Sequence, residues 1–182
     1  MALDALKAAL PAYARDIRLN LGSVLDATTL TPVQAWGAAV ACAFASRNAE
    51  VLRRLCAEAA TKVPAEVIEA AKAAGTMMAM NNIYYRAKHL IGDDEYLALP
   101  ARLRMQAIAT APRESGVDKA DFELWCVAVS AVTGCGACLE SHDKTVRAAG
   151  FSRDQVHESL RIAAVVHAAA VTLDAEAALS PG

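Results

Sequence analysis

Residues 122–142 read FELWCVAVSAVTGCGACLESH. The first eleven are apolar apart from Glu123 and Ser130, too long a run for an ordinary strand. Glycine tolerates the left-handed backbone that ends helices, so Gly134 marks a stop or a tight turn. The stretch therefore predicts a helix over about 120–132, a break, and a second helix over 135–149. Two adjacent helices with no strand signal between them point to an all-α fold.

The whole composition agrees. The chain has 182 residues, 55% hydrophobic and 21% charged, with only 5% aromatic. Such a chain folds and buries a core. Alanine dominates, and alanine is the best helix former. Small side chains also demand close helix approach, or a partner subunit, to bury enough area. Net charge is −2, with both signs mixed along the chain. No basic stripe suggests nucleic acid, and no polybasic patch suggests a membrane surface. The mostly apolar runs at 35–46 and 162–173 fall short of the ~18–20 residues of a membrane span. The first twenty residues carry Asp4, Lys7, Arg15, Asp16 and Arg18 and lack an apolar signal core. A cytoplasmic location is the expectation. Five cysteines, an odd number, argue against a disulfide scaffold.

Outward from the opening stretch, helical signals recur. Leu3, Leu6 and Leu10 share one face ahead of Pro11. Thr31 before Pro32 predicts a capped start for a helix over 33–46. A second is expected over 48–61, then one long or two short helices over 65–88. Residues 92–100 read as loop, 101–110 as helix, and 111–119, with Pro112 and Gly116, as linker. Helices are expected over 153–171 and 174–179. Shifting the chain by 89 residues pairs Trp36 with Trp125, Val67 with Val156 and Glu69 with Glu158. This predicts one domain over 1–182 containing two similar multi-helix halves, about 31–90 and 120–179. In that register Cys135, Cys138, His142 and Glu123 face Ser46, Ala49, Arg53 and Gln34. The scaffold alone does not require those four residues.

On a helix, Cys138 and His142 are i,i+4 neighbours, and Cys135 lies nearly in line with His142. Spacing i,i+3 brings the cysteine Cα atoms to ~5–6 Å, within disulfide range. A position at a helix N-terminus favours the thiolate. Three readings remain open on these residues. Structural zinc wants four ligands, and no second CxxC exists. Two buried helix cysteines beside a core histidine is the plain alternative. A redox-active dithiol is the third. Glu123 joins the group only if the chain folds back at Thr133–Gly134; otherwise it is an exposed first-turn glutamate. His89, His157 and His167 show no partner pattern, and His167 reads as a hydrogen-bonded core or interface residue. Cys42, Cys56 and Cys126 read as small core hydrophobes, and Met77, Met78 and Met80 as gap fillers.

Together with LKAALPAYARDIRLNL at 6–21, MNNIYYR at 80–86 and the closing ALSP, these motifs resemble the alkyl hydroperoxidase D (AhpD) family, within the carboxymuconolactone decarboxylase-like superfamily. The resemblance covers nearly the whole chain. It implies a helical subunit of two similar halves, assembled as a homotrimer. It implies an antioxidant peroxidase that reduces organic hydroperoxide or hydrogen peroxide through a dithiol–disulfide cycle. By the family motif, Cys138 attacks the peroxide, Cys135 resolves and meets the reductant, and His142 and Glu123 relay protons. Some members carry a histidine just before the second cysteine; here that position is Ala137, which implies a shorter relay. No bound cofactor is implied. The implied partners are a lipoyl group on a dehydrogenase-complex protein as reductant and an AhpC-type peroxiredoxin as electron acceptor. The alternative function is a redox carrier or adaptor, a disulfide reductase with little peroxidase activity.

Overall fold

The computed structural model describes residues 1–26 and 29–179, and these residues form helices with no strand among them. The closing Ser180 and Pro181 of the family resemblance lie outside the described residues. Helix α1 (Ala2–Ala9), a short 3-10 turn (Ala12–Ala14) and α2 (Arg15–Leu25) lead into the two larger groups. The first group is α3 (Pro32–Ser46), α4 (Ala49–Ala59) and α5 (Ala65–Ile91). Two short helices follow, α6 (Asp94–Ala98) and α7 (Ala107–Ser115). The second group is α8 (Lys119–Thr133), α9 (Gly136–Ala148) and α10 (Arg153–Leu179).

Thr31 caps α3 as its sequence suggests. Its hydroxyl accepts from the Gln34 backbone N–H, and the Gln34 side chain accepts from the Thr31 N–H. Helices α3 and α8 are apolar nearly all round, which suits the centre of a bundle. They pack on each other, with α5 and α10 against both. Alanine makes this close approach possible: Ala35, Ala38, Ala39, Ala41 and Ala43 are all buried on α3. The Trp125 indole lies against Gly37, where an added Cβ would meet a ring carbon at 2.1 Å. The indole N–H donates to the Gln34 carbonyl at 3.1 Å. Burying ~150–250 Å² of such a ring contributes roughly 4–6 kcal/mol. Gln34 also donates to Asp121 at 2.8 Å, tying the starts of α3 and α8 together.

The two groups have nearly the same helix lengths: 15, 11 and 27 residues in the first, 15, 13 and 27 in the second. Even the corner repeats. Arg47 (φ 62°) ends α3 in the left-handed region and Asn48 caps α4. Gly134 (φ 69°) ends α8 and Cys135 caps α9. By these caps Cys135 corresponds to Asn48, not to Ser46 as the gapless 89-residue register has it. Both corners are two residues long, and the helix starts before them, Pro32 and Lys119, already stand 87 residues apart.

The region between the groups departs from expectation. Residues 101–106 are irregular and helix α7 runs through the expected linker. Gly116 does stop α7, at φ 70°, but Pro112 sits inside it. Proline forfeits one N–H there, and its ring is buried. The expected break before 174 is also absent: α10 is one helix to Leu179. It is the one helix among the described residues long and apolar enough to cross a membrane, and it packs on α2, α3 and α8.

Candidate active site

The α8–α9 corner builds the site. Gly134 donates to the Ala131 carbonyl and Cys135 to the Ser130 carbonyl, at 3.2 and 3.1 Å. This six-to-one closure uses glycine at its left-handed position. It reverses the chain so that α9 runs back along α8. Helix α5 clamps the corner from the side. Asn82 donates to the Thr133 hydroxyl at 2.7 Å and accepts from the Ser130 hydroxyl at 3.2 Å. Arg86 donates to the Thr133 carbonyl. The MNNIYYR motif thus acquires a role in holding the turn, one set by long-range packing and invisible in local sequence.

Cys135 and Cys138 are disulfide-bonded, with Cα atoms 5.3 Å apart, inside the range that i,i+3 spacing predicts. The Cys135 sulfur accepts from the Cys138 backbone N–H at 3.3 Å and so caps α9. Cys138 stands in the first turn, where free N–H groups and the helix dipole favour negative charge. Cys135 is fully buried, while Cys138 is 5% exposed.

Folding back of the chain brings Glu123 to the site. Its Oε2 lies 2.6 Å from His142 Nδ1, across a sequence separation of 19 residues. Glu123 is only 6% exposed, so it is no surface glutamate. With Nδ1–H donating to the carboxylate, Nε2 is the ring nitrogen that carries the free lone pair. The four residues picked out in the sequence are therefore brought together. Cys138, His142, Ala137 and Ser141 from α9 wall a cavity of about 250 Å³. Asn81 and Tyr85 from α5, with Met105 and Ile108, close the other side. Tyr85 donates to the Met105 sulfur at 3.4 Å.

The other cysteines are elsewhere. Cys42 and Cys126 are fully buried, and burial pushes both thiols up; the Glu123 carboxylate adds to the rise at Cys126. Half-buried Cys56 is raised by burial as well. Such thiols stay protonated and unreactive. His167 is hydrogen-bonded as expected, Nδ1 to the Ser46 hydroxyl at 3.2 Å, and it is exposed on the subunit surface, not in its core. Among the described residues no three His, Cys, Asp or Glu side chains converge to hold a metal ion.

Comparison with known proteins places this arrangement in a known class. The model of the Carboxymuconolactone decarboxylase family matches residues 94–180. An alkyl hydroperoxide reductase AhpD of Rhodospirillum centenum is 54% identical over 180 residues, covering 99% of this chain and 95% of that protein. Its counterpart in Streptomyces avermitilis is 53% identical over 180 residues, covering 99% of each. That of Brucella canis is 49% identical over 175 residues, covering 96% and 98%. The chain belongs to the AhpD family.

Proposed function

We propose that this chain is a peroxide-reducing oxidoreductase, an antioxidant alkyl hydroperoxide reductase that works by a dithiol–disulfide cycle. The relatives' names support the reaction class. The observation that carries the reading is the 2.6 Å His142–Glu123 pair, with His142 and Cys138 walling one cavity.

The cycle has three steps. The Cys138 thiolate attacks a peroxide oxygen, leaving a sulfenic acid and releasing alcohol or water. Cys135 attacks that sulfur and closes the disulfide, expelling water. An external dithiol then reduces the disulfide by exchange. A lipoyl group is the proposed reductant and an AhpC-type peroxiredoxin the proposed electron acceptor. Cys135 is fully buried in the disulfide form. A reductant that meets Cys135 therefore needs the Gly134–Cys135 corner to open.

Magnitudes show why the acid–base pair matters. A thiol of pKa ~8.5 is about 3% ionised at pH 7; at pKa ~6.5 it is about 75% ionised, a gain of roughly 25-fold. Nucleophilicity falls with basicity, and a slope of ~0.45 takes back about 8-fold. The net gain is only about threefold. A positioned acid for the leaving oxygen contributes about 10²–10⁴-fold. His142 takes that role, receiving the thiol proton and delivering it to the leaving group. Glu123 holds the imidazole's orientation and stabilises its cation.

The proposed assembly is a homotrimer. Ile83, Leu90, Ile91, Tyr96, Leu97 and Leu99 expose apolar surface along the end of α5 and on α6, which an isolated subunit gains nothing by displaying. The proposed location is the cytoplasm, where a reducing pool keeps a cycling dithiol and three further thiols reduced. The test is peroxide consumption with dihydrolipoamide as sole reductant. Sustained turnover supports the proposal. Reduction of the disulfide without peroxide consumption marks a redox carrier instead.

A further inference from the structure

The two disulfide sulfurs differ in access. Cys138 is 5% exposed and lines the cavity that His142 also walls. Cys135 has no exposed surface and takes no part in that wall. Reaching Cys135 from its other side means opening the α8–α9 corner. That breaks the Gly134 and Cys135 N–H bonds to the Ala131 and Ser130 carbonyls, and the Asn82 and Arg86 bonds to Thr133. Approach to Cys138 through the cavity breaks none of them. The Cys135 sulfur is instead placed to leave. It caps α9 and accepts from the Cys138 backbone N–H at 3.3 Å, a position where negative charge is favoured. Exchange is faster when the departing thiolate is the better stabilised, and it depends on which sulfur can be reached. The cavity, about 250 Å³, equals the space of about eight waters at ~30 Å³ each. Ala137, Met105 and Ile108 give it an apolar wall suited to an alkyl chain that carries thiols.

We infer that the reducing dithiol attacks Cys138, not Cys135, through the same cavity that admits the peroxide, with Cys135 as the leaving sulfur. The inference rests on the dithiol–disulfide cycle proposed above. It replaces the reductant contact at Cys135 that the family resemblance implies, and it needs no opening of the corner. In the first step, R–S⁻ and Cys138–S–S–Cys135 give Cys138–S–S–R and Cys135–S⁻. The new S–S bond forms on Cys138, the old one breaks, and its electron pair stays on Cys135. The proton of the incoming thiol goes to His142, which walls the same space. In the second step the other thiol of the reductant attacks the R sulfur, closes a cyclic disulfide and releases Cys138–S⁻. The dithiol has lost two electrons and the cysteine pair has gained them. Cys138 is left as a thiolate facing the cavity, the form that the next peroxide meets. Peroxide and reductant therefore take turns in one space.

The test traps the first step. Full-length protein in the disulfide form is mixed with excess mono-S-methyl dihydrolipoamide, a monothiol that cannot close its own ring. The reaction is acid-quenched, free thiols are alkylated, and fragment-ion mass spectrometry places the adduct. Expected is the adduct on Cys138 and the alkyl label on Cys135. An adduct equally or chiefly on Cys135 overturns the inference. The second measurement is the rate of disulfide reduction by dihydrolipoamide in Ala137→Leu, which narrows the cavity and leaves the corner alone. It should fall about 10-fold or more, since misplacing an attacking atom by an ångström can cost ~10²-fold, with the melting temperature unchanged. A rate within twofold of wild type overturns the inference. If ring re-closure outruns the trap, this rate decides; if leucine lowers the melting temperature, the adduct's position decides. A wild-type disulfide that dihydrolipoamide leaves intact sinks the proposed cycle and this inference together. Ready reduction with the adduct on Cys135 sinks this inference alone.

Discussion

Replacing Glu123 by glutamine isolates what its charge contributes. The carboxylate sits 2.6 Å from His142 Nδ1 and is 6% exposed, so water does little to screen it. Glutamine keeps the size and an accepting oxygen, so the imidazole keeps its orientation. What changes is the character of the bond. A hydrogen bond to a charged group is worth about 1.5–3 kcal/mol, a neutral one about 0.5–1.5. The midpoints differ by ~1.2 kcal/mol, or roughly eightfold in rate. That loss falls only where His142 is cationic, between accepting the thiol proton and releasing it. Peroxide oxidation of the reduced dithiol should therefore slow about 5–10-fold in Glu123→Gln. His142→Phe, which removes the relay outright, should slow it by 10²-fold or more. The assay is stopped-flow oxidation with excess alkyl hydroperoxide, quenched for free thiols, from pH 6 to 8. Thermal unfolding should change little, because an uncharged amide is easier to bury than a carboxylate. A Glu123→Gln rate within twofold of wild type across that pH range refutes the reasoning. A rate as slow as that of His142→Phe refutes it in the other direction, because Glu123 would then do more than tune its neighbour.

Asn82→Ala should loosen the α8–α9 corner by removing the amide that accepts from the buried Ser130 hydroxyl and donates to Thr133, leaving Ser130 only the weak Met78 sulfur acceptor. The cost is about 1–3 kcal/mol, a fall of roughly 3–10 °C in melting temperature by calorimetry. Gly37→Ala should cost about 3 kcal/mol or more in chemical denaturation, because the new methyl group meets a rigid, fully buried indole. Cys42 and Cys126 make stability fall at alkaline pH. Burial raises both folded thiols above the ordinary value of 9.0. Above about pH 9 the unfolded chain has therefore lost protons that the folded chain keeps. Urea titrations should show constant stability from these two groups below about pH 8. Above pH 9 the decline should approach ~1.4 kcal/mol per pH unit for each thiol. Cys42→Ala should remove about half of that slope.

Local signals carried much of this structure. Thr31, Pro32 and Gln34 lie within four residues, so their capping box is readable without knowing the fold. Cys135, Cys138 and His142 lie within two helical turns, and helix geometry alone puts the latter two on one wall. Glu123 needed one more fact, the reversal at Gly134, and glycine in a left-handed corner leaves a visible mark. Asn81, Asn82 and Arg86 left none. Their roles depend on how α5 crosses α8 and α9, some fifty residues away in sequence. The 101–119 region was misread because Pro112 speaks against a helix locally, while packing against the core decides the matter. The 89-residue shift pairs Trp36 with Trp125, whereas the helix bounds of the two groups stand 87 or 88 residues apart at their starts. Alanine matches hide so small a difference.

The reaction turns on Cys138 being the sulfur that peroxide oxidises. Reduced Cys135→Ser and Cys138→Ser proteins, each given one equivalent of alkyl hydroperoxide with a sulfenic-acid trap, test this by peptide mass spectrometry. The account predicts a single trapped adduct on Cys138 in the first variant and none on Cys135 in the second. An adduct chiefly on Cys135, or peroxide left untouched by both variants and by the wild type, would contradict it.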